Sequence, residues 1–399
     1  MIKHLLKMVW NRKRANILII VEIFFSFLVL AAVLITTVHY WQNYRRPLGY
    51  SIQGVWRLEM NLKYRNDDSK QETEKARQLY LALQNLAEVE AFSGNTQVPY
   101  EPSVQTSGFS YKGSKLSIQT EYGCTAGFKD VLGLQLVAGR WFEPNDAALS
   151  WDPIVINQKM KEEVFGSEDP LGKNIAPEKA ERERRVVGVI SEYRKHGEFV
   201  SPYAFAFQRS RWSGQEGQPE GPPHYILVKV RAGTPASFEE KLMTQIQRVN
   251  KDWSFTLTPL SESRQNWLTF CLVPIVAGGI VAAFLLIMVG LGLVGVLWQN
   301  VTQRTREIGL RRSVGGTRGD IHRQVLGELV VIASVGLLLG VALAVQVPML
   351  HLIDFISARV FSFGIVSSAG LIYVLTVLCG LYPSWMAARV EPAQALHYE

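Results

Sequence analysis

Apolar residues are gathered in this chain into four long runs, at 16–38, 268–298, 325–349 and 361–382. Each run reaches the roughly 20 apolar residues that a helix needs to cross a hydrocarbon core about 30 Å thick. At about 1.5 Å per residue, the second run would be longer than that core if it were helical throughout. The pattern therefore predicts four transmembrane helices, of which the second tilts or continues beyond the membrane as a stalk, with Pro274 as a kink.

The segment 40–265, between the first two runs, has the mixed periodicities of an α+β domain. Alternation of apolar and polar residues predicts a strand in "SIQGVWRLEMNL", and "VEAFSG", "YILVKV" and "SFTLTPL" are further predicted strands. Helical spacing predicts helices over 70–87 and 238–250. The predicted fold class is a membrane protein with four transmembrane α-helices and a large α+β extracytoplasmic domain inserted between the first and second helices.

These elements form two strand–helix–strand units, one near each end of the segment, with a middle part between them. We therefore expect one subdomain built from 50–99 and 222–262, and a second subdomain, 100–221, inserted into it. The whole chain then divides into a cytoplasmic N-terminus with the first helix, the α+β domain, and a three-helix part with a cytoplasmic loop at 299–323. The boundaries of the three parts are 1–39, 40–265 and 266–399.

The net charge of +7 is concentrated in two short places. Residues 1–14 carry five basic side chains and no acidic one, and the loop 299–323 carries six arginines against Glu307 and Asp320. The segment 40–265 has 29 basic and 28 acidic residues, which gives no reason to expect nucleic acid as a partner. Because basic loops stay in the cytoplasm, we expect both termini and the loop to be cytoplasmic and the α+β domain to be outside.

No residue pattern in the sequence indicates an enzyme. The three cysteines, Cys124, Cys271 and Cys379, give neither a disulfide framework nor metal-ligand spacing, and the seven histidines form no pair at metal spacing. The nucleophile motif G-x-S-x-G and the phosphate-binding motif GxxxxGK[ST] do not occur. We expect no catalytic, metal or cofactor-binding site in these residues, so any ATP would be bound by a partner subunit.

The basic loop contains the sequence "RTREIGLRRSVGGTRGDIHR" at 304–323, which divides into two helical pieces. The first piece covers 303–313 and is ended by Gly315 and Gly316, because glycine readily adopts the left-handed conformation of a helix stop. Thr317 can cap the second piece. Two readings are open: a short amphipathic helix that docks into a groove of a soluble partner, or a solvated loop that only obeys the positive-inside rule.

Apolar residues within this loop favour docking. Ile308, Leu310 and Val314 stand among the arginines, where a purely solvated loop would have no need of them. Elsewhere, Gly336, Gly340 and Ala344 recur at a spacing of four in the third run and predict close approach of another helix. That approach is either packing within the chain or a dimer face. Glu22, within the first run, is either a functional carboxylate or a group at the inner membrane interface.

The loop is similar to the corresponding segment of the MacB/FtsX-type permeases of ABC transporters. The family pattern R-x-x-E-I-G-I-x-R-A-x-G-A is matched by Arg304, Glu307, Ile308, Gly309, Arg312 and Gly315. The end of the chain resembles the family's ending at Pro383, Ala387, Ala388, Pro392, Ala395, Leu396 and Glu399. The stretches "GLQLVAGRWF", "VINQKMKEEVFGSEDPLGKNI" and "RRVVGVISEYR" resemble the family's periplasmic core domain.

This resemblance implies that the loop forms a coupling helix that touches a nucleotide-binding subunit, and that 266–399 is the FtsX-like permease part. The residues expected to couple to the ATPase are Arg304, Glu307, Ile308, Gly309, Leu310, Arg311, Arg312, Gly315 and Thr317. It also implies a multi-pass protein of the bacterial inner membrane with a periplasmic α+β domain. Since the phosphate-binding motif does not occur, we expect the ATPase to be a separate polypeptide.

The function implied by the resemblance is that of a permease subunit which transmits motion from ATP hydrolysis in the cytoplasm to the periplasmic domain, for export or release of a substrate. The expected partners are a cytoplasmic ABC ATPase dimer, a second permease copy or a homologous permease, and membrane lipid, with a periplasmic adaptor as a further candidate. Two alternatives are an FtsX-like scaffold that activates a periplasmic cell-wall hydrolase and a membrane protein that senses a peptide. The size of the 40–265 domain counts against the first, and the lack of a cytoplasmic signalling domain in the sequence counts against the second.

Overall fold

The structure is a computed structural model, and it describes most of the chain. The described residues are 13–61, 69–177, 180–209, 223–235, 237–249, 254–303, 310, 313–315, 317–353 and 355–388.

The elements alternate as an α+β domain enclosed by long helices. In chain order they are α1 (Lys13–Tyr44), β1 (Val55–Asn61), α2 (Ser69–Gln84), β2 (Val89–Asn95), β3 (Thr106–Tyr111), β4 (Ser114–Cys124), α3 (Phe128–Leu132), β5 (Leu136–Gly139), β6 (Asp152–Asn157), β7 (Arg184–Ile190), β8 (Phe205–Arg209), β9 (Tyr225–Val230), α4 (Phe238–Val249), β10 (Ser254–Pro259), α5 (Leu260–Gln303), α6 (Arg318–Met349) and α7 (Ala358–Ala388). Short helical turns at Pro144–Ala148 and Gln158–Phe165 complete them.

Four helices, α1, α5, α6 and α7, are long and apolar enough to cross a membrane. They contain the four predicted runs; α1, α5 and α7 extend their runs at both ends, and α6 extends its run only at the start. The longest is α5 with 44 residues, and Pro274 lies inside it. Helix α5 starts directly after β10, so the long second run does continue beyond the length that a membrane requires.

The domain between α1 and α5 contains two sheets. The four-stranded sheet has the order β10-β1-β9-β2, and all its pairings are antiparallel. The six-stranded sheet has the order β3-β4-β8-β6-β7-β5, with parallel pairs β4–β8 and β6–β7. The strands of the first sheet come from the two ends of the domain and those of the second from its middle.

Each sheet has an apolar core. Helices α2 and α4 cover the four-stranded sheet through Leu79, Leu83, Leu242 and Ile246, which are all fully or almost fully buried. A second core joins the two sheets, because Leu227 of β9 and Phe207 of β8 belong to one buried cluster. Such a shared core makes the two sheets parts of one folded body rather than two separate domains.

The chain divides into two compact units within α1 and α5 rather than at their ends. One unit is Asn43–Phe270, and the other comprises the residues up to Gln42 and from Cys271 onward. The sequence predicts boundaries at 39/40 and 265/266, a few residues earlier in each case. The shift arises because the last residues of α1 and the first residues of α5 pack with the sheets, which hydropathy does not register. We call Asn43–Phe270 the two-sheet unit.

We call the other unit, up to Gln42 and from Cys271 onward, the helical unit. In it, the small residues of α6 allow α1 to come close. A Cβ added to Gly336 would lie 2.9 Å from Cγ2 of Ile23, and one added to Gly340 would lie 2.5 Å from Cδ1 of Phe27. Ala344 is also buried. These contacts match the alternative in which the small residues serve packing within the chain.

Candidate functional site

The predicted coupling segment lies between the end of α5 and the start of α6. Leu310, Gly315 and Thr317 are among the described residues. The other predicted coupling residues lie outside the described residues, and they remain a prediction: Arg304, Glu307, Ile308, Gly309, Arg311 and Arg312.

The described part of the segment carries an exposed pair of apolar side chains. Leu310 is 57% exposed and Val314 is 82% exposed. The backbone N–H of Val314 donates to the carbonyl of Leu310 at 3.2 Å, so the two residues lie one helical turn apart and on the same face. Gly315 follows with φ at 102°, a left-handed conformation that glycine adopts without strain and that ends the turn.

Thr317 starts α6 with reciprocal capping bonds. Its hydroxyl accepts from the N–H of Asp320 at 3.2 Å, and the Asp320 carboxylate accepts from the N–H of Thr317 at 3.1 Å. Two N–H groups that have no partner within the helix are satisfied in this way, and the carboxylate also lies favourably at the positive end of the helix. The start of α6 is therefore fixed at the point where the segment ends.

The helices that flank the segment are held together by a small apolar cluster. Val301 near the end of α5, Ile321 in the first turns of α6 and Ala387 near the end of α7 are buried against one another. The segment between 301 and 321 thus begins and ends at packed positions.

Removing the Thr317 cap should loosen the start of α6. Loss of an N-cap hydroxyl typically costs about 0.5–2 kcal/mol. In Thr317→Val we therefore expect amide exchange at 318–321 to accelerate by roughly 2- to 30-fold, measured by hydrogen–deuterium exchange on the protein in lipid nanodiscs. Ser313→Ala is the control, since the Ser313 hydroxyl donates to the carbonyl of Leu310, which lies before α6 in the chain. Equal exchange at 318–321 in both variants would argue against the cap.

Glu22 of α1 lies against α5. A Cβ placed on Gly292 would be 3.0 Å from the Glu22 carboxylate oxygen Oε2, so the absence of a side chain at Gly292 makes room for this carboxylate. Glu22 is half-buried at this contact between α1 and α5.

The two-sheet unit also contains a buried polar cluster that the sequence did not indicate. Glu121 is fully buried, and its carboxylate accepts from the backbone N–H of Gln97 at 2.8 Å. Lys195 is 1% exposed and donates to Oε1 of Gln97 at 2.6 Å and to the carbonyl of Ser103 at 2.7 Å. Burial raises the pKa of Glu121 and lowers that of Lys195, because each charged form loses hydration.

His196, next to Lys195, is also buried, and its Nδ1 lies 3.1 Å from the hydroxyl of Tyr203. Burial, and then the neighbouring Lys195, lower the pKa of His196 below its ordinary value. The folded protein therefore binds the proton less readily than the unfolded chain does. The stability that results is present above the unfolded pKa of about 6.5 and is lost as pH falls through the folded pKa.

Replacing this histidine should flatten the pH dependence of stability. We expect the thermal midpoint of the two-sheet unit to fall less between pH 7 and pH 5 in His196→Gln than in the unchanged protein. Intrinsic tryptophan fluorescence reports this unfolding, because Trp267 lies beside His196 with ring centroids 5.9 Å apart. His224→Gln is the control. If both variants retain the slope of the unchanged protein, the titration of His196 does not contribute.

Four long apolar helices, with a two-sheet α+β domain between the first and second, define a multi-pass membrane protein. Within this class, two family models match along the chain: the MacB-like periplasmic core domain over residues 30–245 and the FtsX-like permease C-terminal domain over residues 279–392. The chain belongs to the family of MacB/FtsX-type ABC transporter permeases, as the sequence predicts. The α+β domain between α1 and α5 is therefore a MacB-like periplasmic core domain.

Curated relatives agree with this family. The chain is 28% identical over 286 residues to the macrolide export ATP-binding/permease protein MacB of Neisseria meningitidis, a match that covers 69% of this chain and 43% of the relative. It is 27% identical over 282 residues to the pyoverdine export ATP-binding/permease protein PvdT of Pseudomonas aeruginosa, covering 69% and 41%. The chain thus spans less than half the length of the curated relatives it matches.

A solved structure of the periplasmic region of MacB from Actinobacillus actinomycetemcomitans is similar as well, with a TM-score of 0.39 and 17% identity. The match covers 54% of this chain and 92% of the MacB chain in that structure.

Proposed function

We propose that this chain is the permease subunit of a mechanotransmission ABC transporter, in which a cytoplasmic ATPase moves the periplasmic domain through the membrane helices. The observation that carries the proposal is the exposed turn at Leu310 and Val314, held between the packed ends of α5 and α6. Exposed apolar side chains on a short helical turn suit docking into a groove of a soluble protein. The partner that we propose for this turn is an ABC ATPase, because relatives of this chain are named ATP-binding/permease proteins.

ATP would be bound by an ABC ATPase that lies outside these 399 residues. The 399 residues contain no GxxxxGK[ST] motif, whose backbone N–H groups and lysine hold the phosphates of ATP. An ATPase dimer offers two grooves, so a second permease copy or a homologous permease would occupy the other one. The substrate would then be handled by the periplasmic domain, alone or with an adaptor protein, and released by its movement.

The orientation in this proposal rests on charge. The six arginines of 304–323 place the coupling segment in the cytoplasm together with both termini, and the nearly neutral two-sheet unit then lies in the periplasm.

Two matched serine substitutions test this orientation. Ser114 lies at the exposed turn between β3 and β4, and Ser313 is exposed in the coupling segment. In a background without the native cysteines, we expect Ser114→Cys to react with a membrane-impermeant maleimide in spheroplasts and Ser313→Cys to react only after lysis. Labelling of Ser313→Cys in intact spheroplasts would reverse the orientation.

The transport mechanism is tested by reconstituting the chain in nanodiscs with the ATPase that co-purifies from its native membrane. We expect the chain alone to hydrolyse no ATP, and the complex to show nucleotide-dependent changes in amide exchange within the two-sheet unit. ATP turnover by the chain alone would contradict the separate ATPase. A bound, active ATPase whose nucleotide state leaves the two-sheet unit unchanged would contradict mechanotransmission.

A further inference from the structure

The loop 191–201, between β7 and β8, contacts both long helices where they enter the two-sheet unit. Arg194 in this loop is fully buried, and the acceptors of its guanidinium among the described residues are backbone carbonyls. Nη1 donates to Asn43 at 2.9 Å, Nη2 to Arg46 at 2.5 Å and Nε to Pro47 at 3.1 Å. These three acceptors belong to the last turn of α1 and the residues that follow it.

At the end of α1, the guanidinium is a second donor to the carbonyl of Asn43, which also accepts from the backbone N–H of Arg46 at 3.1 Å. The last carbonyls of a helix receive no N–H from within the helix, and they lie at the negative end of the helix dipole. A guanidinium suits them because it is planar and offers five donors in a fixed geometry, whereas a lysine ammonium is a single point. Nη1 also donates to Glu198 and Val200 of its own loop, at 3.0 and 3.4 Å, so Arg194 holds the loop and the helix end together.

The contact between the loop and α1 is reciprocal. The side-chain amide of Asn43 donates to the carbonyl of Phe199 at 3.1 Å and to the hydroxyl of Ser201 at 3.2 Å. Gly49, with φ at 88°, packs so closely on the loop that an added Cβ would lie 1.7 Å from the carbonyl oxygen of Glu192. The chain that leaves α1 is therefore bonded to the loop at one end and packed against it at the other.

The same loop contacts the start of α5. The indole N–H of Trp267 donates to the carbonyl of His196 at 2.6 Å, and the guanidinium of Arg264 pairs with the carboxylate of Glu198. Gly197 lies between these groups with φ at 80°, where an added Cβ would be 2.8 Å from Cε1 of Tyr100 and 3.4 Å from Cδ1 of Trp267. No side chain larger than hydrogen fits there without displacing one of them.

A third set of contacts connects the loop to the segment that joins the two sheets. Lys195 donates to Gln97 and Ser103, as described above, and its carbonyl accepts from the N–H of Tyr100 at 2.9 Å. Consecutive residues of one loop thus reach the end of α1, the start of α5 and the joint between the sheets. Buried charged groups with several bonds each resist displacement, because a broken bond would leave a charge unpaired away from water.

We propose that the loop 191–201 is the junction through which movement of the two helix ends reaches the periplasmic domain, with Arg194 and Glu198 as its positioning residues. This inference rests on the proposed function, and it assigns the step to particular groups. Movement of α1 pulls on Arg194, movement of α5 pulls on Glu198 and His196, and Lys195 passes the displacement to 97–103.

Hydrogen–deuterium exchange on the full chain in nanodiscs tests the junction without any ATPase. Arg194→Lys keeps the charge and loses the planar fork, and Arg185→Lys is the matched control, because Arg185 is partly exposed and paired with Glu183. We expect amide exchange at 43–50 to accelerate at least tenfold in Arg194→Lys, with the strands 154–157 and 186–190 unchanged as the check on folding. Glu198→Gln should have the same effect at 264–270. Exchange at 43–50 and 264–270 equal to that of Arg185→Lys would overturn the junction.

A second arm uses the complex with the co-purified ATPase, with and without ATP and vanadate. We expect the nucleotide-dependent change in exchange to reach 97–103 in the unchanged protein and in Arg185→Lys, and to be lost there in Arg194→Lys while ATPase binding is retained. A change that reaches 97–103 equally in Arg194→Lys would overturn the junction alone. No nucleotide-dependent change in the two-sheet unit of the unchanged protein would overturn the proposed function, and this inference with it.

Discussion

Leu310→Asp is expected to abolish association between this chain and its ATPase. Leu310 is 57% exposed in the isolated chain, as an apolar anchor must be before it enters a partner. A carboxylate at this position would have to be buried in an apolar groove without a partner of its own, which is strongly unfavourable. Truncation of a central anchor alone typically costs about 2–4 kcal/mol, or roughly 30- to 700-fold in affinity, and the added charge should increase the loss.

The measurement is a titration of purified ATPase onto the chain in nanodiscs, together with co-purification from cells. Ser313→Asp provides the control, because it adds the same charge in the same turn at a residue that is exposed and polar. The apolar cluster of Val301, Ile321 and Ala387 contains neither position, so both variants should insert and fold normally. Equal affinity of Leu310→Asp and Ser313→Asp would mean that the segment is a solvated loop and not a docking site.

Much of the architecture could be predicted because it depends on long-range patterns of hydropathy. A run of about 20 apolar residues has few alternatives to a transmembrane helix, and the short apolar run in "YILVKV" is the strand β9, whose first four residues are buried. The ends of α1 and α5 could not be placed in this way. The end of α1 and the start of α5 carry polar residues such as Asn43 and Arg264, whose side chains bond to residues distant in the sequence.

The burial of the loop 191–201 could not be predicted from the sequence either. In the sequence, "SEYRKHGEF" is a run of charges after a strand, and charged runs usually lie in solvent. Arg194 and Lys195 are instead buried, because the backbone carbonyls and polar side chains that receive them come from around residues 43–47 and 97–103. Only the fold brings those acceptors together, so no local signal distinguishes these two residues from exposed ones.

Gly340 provides the second large expected effect. In Gly340→Leu, the new Cβ would lie 2.5 Å from Cδ1 and 3.1 Å from Cε1 of Phe27, closer than carbon atoms can approach. Phe27 is fully buried among the long helices, so its ring cannot turn into open space. Forcing extra volume into a packed site typically costs about 1–3 kcal/mol, and a rigid ring against a helix backbone should place this variant at the upper end.

The consequence should appear as a lower midpoint for unfolding of the helical unit in a titration with sodium dodecyl sulfate, followed by circular dichroism. Gly370→Leu is the matched control, since an added Cβ at Gly370, in α7, meets no atom within 4 Å. Because Gly336, Gly340 and Ala344 could also be read from the sequence as a dimer face, the oligomeric state should be measured beside the midpoint by native mass spectrometry. If the small residues pack against α1, Gly340→Leu lowers the midpoint whatever the oligomeric state. A variant that loses only its dimer, with the unfolding midpoint of Gly370→Leu, would assign the stripe to contact between copies instead.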